Sequence, residues 1–324
     1  MSPDCVLIAV TVAIFISITY FDSITHIAEI RKIFCHKIRK SSIEKHICFR
    51  YCSFLAYTSS DSINQYVIWG SERVDFGLDG KVAIVTGGTR GLGRDVAEAL
   101  AGQGCKVMVC GRNQPETLAE NIAFRIADIR KADAAEQLVA DTVSEFGRLD
   151  ILVNNAGGSP AADAATASPR FADSIMQLNL MAPYYMARAS HPHLVKSDNG
   201  SIINIGSVAG IRPAPGTAIY GAAKAGLLNL TQSLAQEWGK DKIRVNAIIV
   251  GLAETENAEA TYGDANAQAT VAASLPLGRM CKGEDVANAV CYLASPAAEY
   301  ISGARLNVDG GGERPYFLDL VKGG

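Results

Sequence analysis

The sequence predicts an α/β fold over residues 76–313, a doubly wound parallel sheet with helices on both faces. Three observations predict it. Short, unbroken apolar runs such as Val82 to Val85 and Val107 to Cys110 read as strands buried on both faces, and Arg244 to Ile249, apolar but for Arg244 and Asn246, reads as the sixth strand. Stretches of helical period separate them, as from Asp133 to Phe146. A glycine-rich turn, Thr86-Gly-Gly-Thr-Arg-Gly-Leu-Gly93, stands between the first such run and the helix after it.

The totals narrow the function classes. With 324 residues, 48% of them hydrophobic, the chain holds one large domain and an appendage. A formal charge of −3 gives no electrostatic case for a nucleic-acid partner. Eight cysteines in so long a chain do not read as a disulfide framework. Cys105, Cys110, Cys281 and Cys291 lie in or beside apolar elements and read as small buried thiols of a reducing, cytoplasmic compartment.

Residues 1–75 differ from the rest, being rich in isoleucine with a single glycine, Gly70. Val6 to Phe21 is uncharged and a little short of the roughly 17–25 residues a bilayer span needs. Arg31, Lys32, Lys37, Arg39, Lys40 and Lys45 follow and would hold that side in the cytoplasm. Two readings stand: a membrane anchor, or translation from an upstream start. Cys35, His36, His46, Cys48 and Cys52 match no zinc spacing, and no metal site is expected.

After the first strand, the glycine turn lets backbone approach a pyrophosphate, and the helix N-terminus offers unpaired N–H groups to it. Gly87, Thr89, Arg90, Gly91, Leu92 and Gly93 are the candidate contacts. The second strand ends in Gly111-Arg112. A carboxylate there would suit the free ribose hydroxyl of NAD; Arg112 and Arg90 instead favour the 2′-phosphate of NADP, with NAD kept as the alternative. The connection to the third strand, Ala123 to Ala127, contains Pro115 and is too short for a full crossover helix. Asp128 and Ile129 close that strand, Asp128 placed for the adenine edge. The fourth strand, Leu149 to Val153, runs into Asn154-Asn155-Ala156-Gly157, small residues that leave room for a ribose.

Phe171 to Ala189 reads as one long helix with Asn179 among apolar neighbours, held either to satisfy a backbone group or to keep a water beside a catalytic lysine. His191 and His193 flank Pro192 at its surface end and carry no role. Ser201 to Ile205 is the fifth strand and Ser207 lies at its end. Tyr220 and Lys224, four apart on the next helix, share one face. A phenol has a reference pKa near ~10, and lowering it by roughly 3 units takes about 4 kcal/mol. A nearby ammonium and an oxidised nicotinamide would both act that way. Such a group suits proton transfer at an alcohol or carbonyl oxygen coupled to hydride transfer. Gly251 and Thr255 follow the sixth strand, and the polar, alanine-rich stretch to Pro276 sits where a substrate lid would. A helix from Lys282 to Ala294 and a strand from Ala304 to Val308 complete the fold. The tail, residues 314–324, carries an apolar patch suited to a neighbouring subunit.

Taken together, T-G-x-x-x-G-x-G at 86–93, N-N-A-G at 154–157, Asn179, Ser207 and Tyr220-x-x-x-Lys224 resemble the short-chain dehydrogenase/reductase family. The glycine loop and tail look like the bacterial 3-oxoacyl-thioester reductase type. The resemblance implies a Rossmann-type sheet of seven strands, a nicotinamide cofactor, a small carbonyl or alcohol substrate, and a homotetramer or dimer. It makes Tyr220 the general acid/base, Lys224 the ribose ligand that lowers the Tyr220 pKa, Ser207 the residue that orients substrate, and Asn179 a holder of water. It sets Thr255 near the nicotinamide carboxamide. Val250-Gly251 departs from the family's usual Pro-Gly. A cofactor-sensing binding protein without catalysis and a membrane-tethered scaffold are the rival classes.

Overall fold

The computed structural model describes residues 74–119, 121–256, 258–315 and 317–321. The segment Val6 to Phe21 and the cysteines and histidines near it lie outside the described residues. Among those described, no helix is long and apolar enough to cross a membrane.

Seven parallel strands form one sheet in the order β3-β2-β1-β4-β5-β6-β7. They are β1 Val82–Thr86, β2 Lys106–Gly111, β3 Ile122–Ile126, β4 Ile151–Asn154, β5 Gly200–Ser207, β6 Ile243–Val250 and β7 Arg305–Val308. Alternation along β1 explains the layers. Ala83 and Val85 face one side, where they meet α1 (Gly91–Gly102) and the later helix α8 (Gly283–Ala294) through Val96, Leu100, Val286 and Val290. Val82 and Ile84 face the other side, against Leu138 of α2 (Ala132–Phe146), Met186 of α4 (Ala182–Leu194) and Leu234 of α5 (Ala218–Trp238). Both faces are therefore covered, as an all-parallel sheet requires.

Strand order reverses between β1 and β4, and the crevice at the carboxyl ends there is where such sheets bind ligands. No helix occurs among the described residues between β2 and β3, which agrees with the short connection read from the sequence. The lid stretch forms two short helices, α6 (Ala258–Tyr262) and α7 (Ala265–Ser274). A short α9 (Phe317–Leu320) closes the tail, with Phe317 and Leu320 exposed.

The expected single helix over 171–189 is corrected. It is α3 (Pro169–Met176), a π-helical turn (Gln177–Met181) and then α4. A wider turn inside a helix commonly marks a functional position, and Asn179 sits within this one, fully buried. The helix also runs past its expected end, through Pro192, to Leu194, which is fully buried and anchors the last turn. His191 is not a bare surface residue: its ring packs on Trp238 and bonds to Asp241 at 3.1 Å.

One buried charge lies at the opposite end of the sheet. The Asp150 carboxylate, wholly shielded, accepts bonds from Val82 N–H at 2.9 Å, the Ser197 hydroxyl at 2.5 Å and both guanidinium arms of Arg148. Burial pushes its pKa up, but these donors outweigh burial and hold it below the usual carboxylate range.

Candidate active site

The glycine turn is built by close approach. Gly87 and Gly91 have φ of +65° and +51°, the left-handed region that favours glycine. A β-carbon on Gly93 would lie 2.3 Å from Asn155 Nδ2 and 2.4 Å from the Gly87 carbonyl oxygen, so the start of α1 tolerates no side chain there. Thr86, at the end of β1, fastens this turn to the next one. Its hydroxyl accepts from Asn155 and Ala156 N–H, each at 3.0 Å, while Asn155 Nδ2 donates back to the Thr86 carbonyl at 3.0 Å. A lone threonine at a strand end gives no sequence signal of that role. Below it, Asn154 donates to Asn204, and Asn204 to Thr231, a buried chain of 2.9 Å bonds that ties β4 to β5 and α5.

The N-terminus of α1 has no side-chain cap from Arg90, which is extended. The Gly91 N–H instead faces Glu256 Oε1 at 3.4 Å, a carboxylate reaching across from the loop after β6. An uncapped helix N-terminus, with glycine at Gly91 and Gly93 and already facing an anionic oxygen, fits a dinucleotide pyrophosphate. Thr89 approaches Gly111, so Arg90 and Arg112, both exposed, belong to neighbouring turns. Asp128 is paired with Arg130 at 2.6 Å, which lowers its pKa, with Arg112 adding to the effect. Ile129 and Leu92 turn their side chains to the core and have only backbone to offer a ligand. Gly251 packs on β7, where a β-carbon would meet the Asp309 backbone at 2.8 Å. Thr255 is exposed, its carbonyl accepting from Ala258 N–H at 2.9 Å.

The four catalytic candidates come together at the same end of the sheet. Ser207 closes β5 and its hydroxyl accepts from Ala209 N–H at 3.2 Å. The short turn over Val208–Gly210 lies against α5 so closely that a β-carbon on Gly210 would meet the Lys224 backbone at 2.9 Å. That contact delivers Ser207 to Tyr220, close enough for the serine hydroxyl to favour the phenolate. Lys224 Nζ lies 5.7 Å from the centre of the Tyr220 ring and donates to the Ile205 carbonyl at 2.7 Å. A β-carbon on Gly157 would sit 2.8 Å from Asn179 Oδ1 and 3.2 Å from Lys224 Nζ, so the Asn154–Gly157 turn touches both. The Asn179 amide accepts from Gly158 N–H at 2.9 Å and donates to the carbonyls of Gly158 and Ile175. Of its two readings, these bonds express the backbone-satisfying one.

The electrostatics differ from the expectation of a phenol made acidic by its lysine. Burial raises the Tyr220 pKa; the bond to Ser207 lowers it in part and the nearby Tyr262 adds to the rise. Burial pushes the Lys224 ammonium down to about 8. Tyr220 thus holds its proton at neutral pH and is poised first as an acid.

A glycine cradle at the sheet crevice and a Ser–Tyr–Lys cluster beside it define a dinucleotide-dependent oxidoreductase. A family model described as Enoyl-(Acyl carrier protein) reductase matches residues 87–313. A 2-dehydro-3-deoxy-D-gluconate 5-dehydrogenase of Escherichia coli (strain K12) is 36% identical over 244 residues, 73% of this chain and 96% of that one. A 3-oxoacyl-acyl-carrier-protein reductase of Chlamydia trachomatis is 35% identical over 244 residues, 72% of this chain and 98% of the relative. The ligand-free aldohexose dehydrogenase of Thermoplasma acidophilum superposes with a TM-score of 0.69 at 30% identity, covering 73% of this chain and 95% of its own. The chain belongs to the short-chain dehydrogenase/reductase family and is an NAD(P)-dependent oxidoreductase.

Proposed function

We propose that the protein interconverts a carbonyl compound and a secondary alcohol, with NADP(H) preferred over NAD(H). The observation that carries the reading is the gathering of Ser207, Tyr220 and the buried Lys224, its Nζ 5.7 Å from the Tyr220 ring, at the same sheet end as the glycine turn. Gly87, Gly91, Gly93 and the Asn155–Gly157 turn would hold the dinucleotide, which when bound supplies or takes the hydride. In the reductive direction Tyr220 gives its proton to the carbonyl oxygen as the carbon is reduced. Ser207 keeps that oxygen within reach of the phenol, and the Lys224 charge favours the phenolate left behind. Asn179 holds the Gly157–Gly158 turn against Lys224.

Arg90 and Arg112 on adjoining turns, with no acidic residue at the end of β2, support the choice of NADP. The relatives' named substrates include a sugar acid and an oxoacyl thioester, both carbonyl compounds. The buried thiols support a reducing compartment, the cytoplasm, and the exposed Phe317, Leu318 and Leu320 support self-association. The test is turnover of a ketone panel with NADPH and NADH in parallel. The reading predicts a higher kcat/KM with NADPH, an advantage that Arg112→Ala removes. A preference for NADH, or none, would refute the cofactor assignment.

A further inference from the structure

Three loops meet beside Tyr220, one from the carboxyl end of each of β5, β6 and β7. The first carries Arg212, tied into the turn after Ser207 by its N–H bond to the Val208 carbonyl at 3.1 Å. The second carries Tyr262 at the end of α6, its hydroxyl accepting from Ala253 N–H. The third carries Glu313 just after Gly310–Gly312, whose φ values of +64°, +96° and +76° lie in the left-handed region that favours glycine. Arg212 Nη2 is hydrogen-bonded to Glu313 Oε1. Both residues act electrostatically on Tyr262, and Tyr262 in turn acts on Tyr220. Arg212 thus stands at the end of the turn that links Ser207 to α5, at the same carboxyl edge of the sheet as Tyr220, and a substrate extending from Tyr220 along that edge meets it.

The pair it meets there is easily opened. Both side chains are more than a third exposed, and exposed ion pairs contribute little to stability. Arg212 Nη1 also donates to the Pro213 carbonyl at 3.0 Å, so the guanidinium plane is held before any ligand arrives. A fixed guanidinium is the group that recognises a carboxylate through two parallel bonds.

We propose that Arg212 determines substrate class: it binds the carboxylate of an oxo acid, or of the matching hydroxy acid, whose carbonyl carbon lies at Tyr220. Glu313 is the chain's own carboxylate holding that place. The proposal rests on the carbonyl–alcohol reading above and sharpens it to acidic substrates.

The test is calorimetric binding of levulinate and its homologues longer by one and two methylenes, each beside its methyl ester, to the full chain with NADP⁺ or NAD⁺. The oxo acid and oxidised dinucleotide form a dead-end complex, so binding is read without turnover. At least one acid is expected to bind about tenfold more tightly than its ester, the worth of one charge-assisted contact. Arg212→Gln is expected to erase that ratio and leave ester binding unchanged. Glu313→Gln, which removes the competing carboxylate, is expected to tighten acid binding severalfold. Equal binding of every acid and its ester, no acid binding at all, a ratio that survives Arg212→Gln, or weaker acid binding in Glu313→Gln would each overturn the proposal. If the acids bind as expected but none is reduced with NADPH or NADH, the carbonyl–alcohol reading falls while the anion site stands.

Discussion

Replacing Lys224 by methionine should stabilise the fold while disabling the site. The ammonium is buried, with a single bond to the Ile205 carbonyl. Burial lowers its pKa from 10.5 to about 8. Keeping it charged at neutral pH therefore costs roughly 3 kcal/mol. Methionine fills similar space without charge but leaves the Ile205 carbonyl unpaired, a loss of about 1–2 kcal/mol. The net expectation at pH 7 is a gain of about 1–2 kcal/mol. The sign reverses with pH. Above about 8 the folded wild-type lysine is neutral while the unfolded one still binds a proton, so wild-type stability rises with pH up to the unfolded pKa. The variant lacks that rise, and its advantage should vanish by about pH 10. Urea denaturation of both proteins across this range, at one protein concentration, measures the gap directly. A gap constant with pH, or a variant less stable than wild type at pH 7, would refute the idea that the site carries a strained charge.

Other consequences follow from the same structure. Glu256→Gln removes the carboxylate facing Gly91 N–H, and NADPH should bind roughly two- to fivefold more tightly by fluorescence titration, the range a charge at a helix N-terminus commands. Unchanged or weaker binding would show that Glu256 does not compete with phosphate. Asp150→Ala should lower stability by about 2–4 kcal/mol in denaturant, because Val82 N–H and the Ser197 hydroxyl lose their acceptor. The wild-type contribution of Asp150 should be present above the unfolded pKa and fade as pH falls through its depressed folded value. Carbonyl reduction should decline as pH rises through about 8, as the Lys224 charge is lost; a profile flat to pH 9 would count against a role for that charge.

Much of this architecture was legible because parallel strands buried on both faces are written as apolar runs, and Val82–Val85 or Val107–Cys110 resemble little else. The missing helix before β3 followed from Pro115 and a short connection. The catalytic spacing was legible because Tyr220 and Lys224 lie one helical turn apart. The π-helical turn was not, since one extra residue within a helix barely disturbs its apolar period. Nor was the persistence of α4 through Pro192, which depends on the burial of Leu194. The acidity of Tyr220 could not be read from spacing, because desolvation is a property of the assembled surroundings. Arg212, Tyr262 and Glu313 lie about fifty residues apart in sequence, and only the sheet order makes them neighbours.

The central claim is that one phenol, Tyr220, carries the proton in a hydride-transfer reaction. Tyr220→Phe tests it most directly, with turnover on a reducible ketone and NADPH affinity measured on the same preparation. The account predicts a fall in kcat of about 10³ with dinucleotide affinity within about twofold of wild type. Turnover near the wild-type rate in that variant would contradict it.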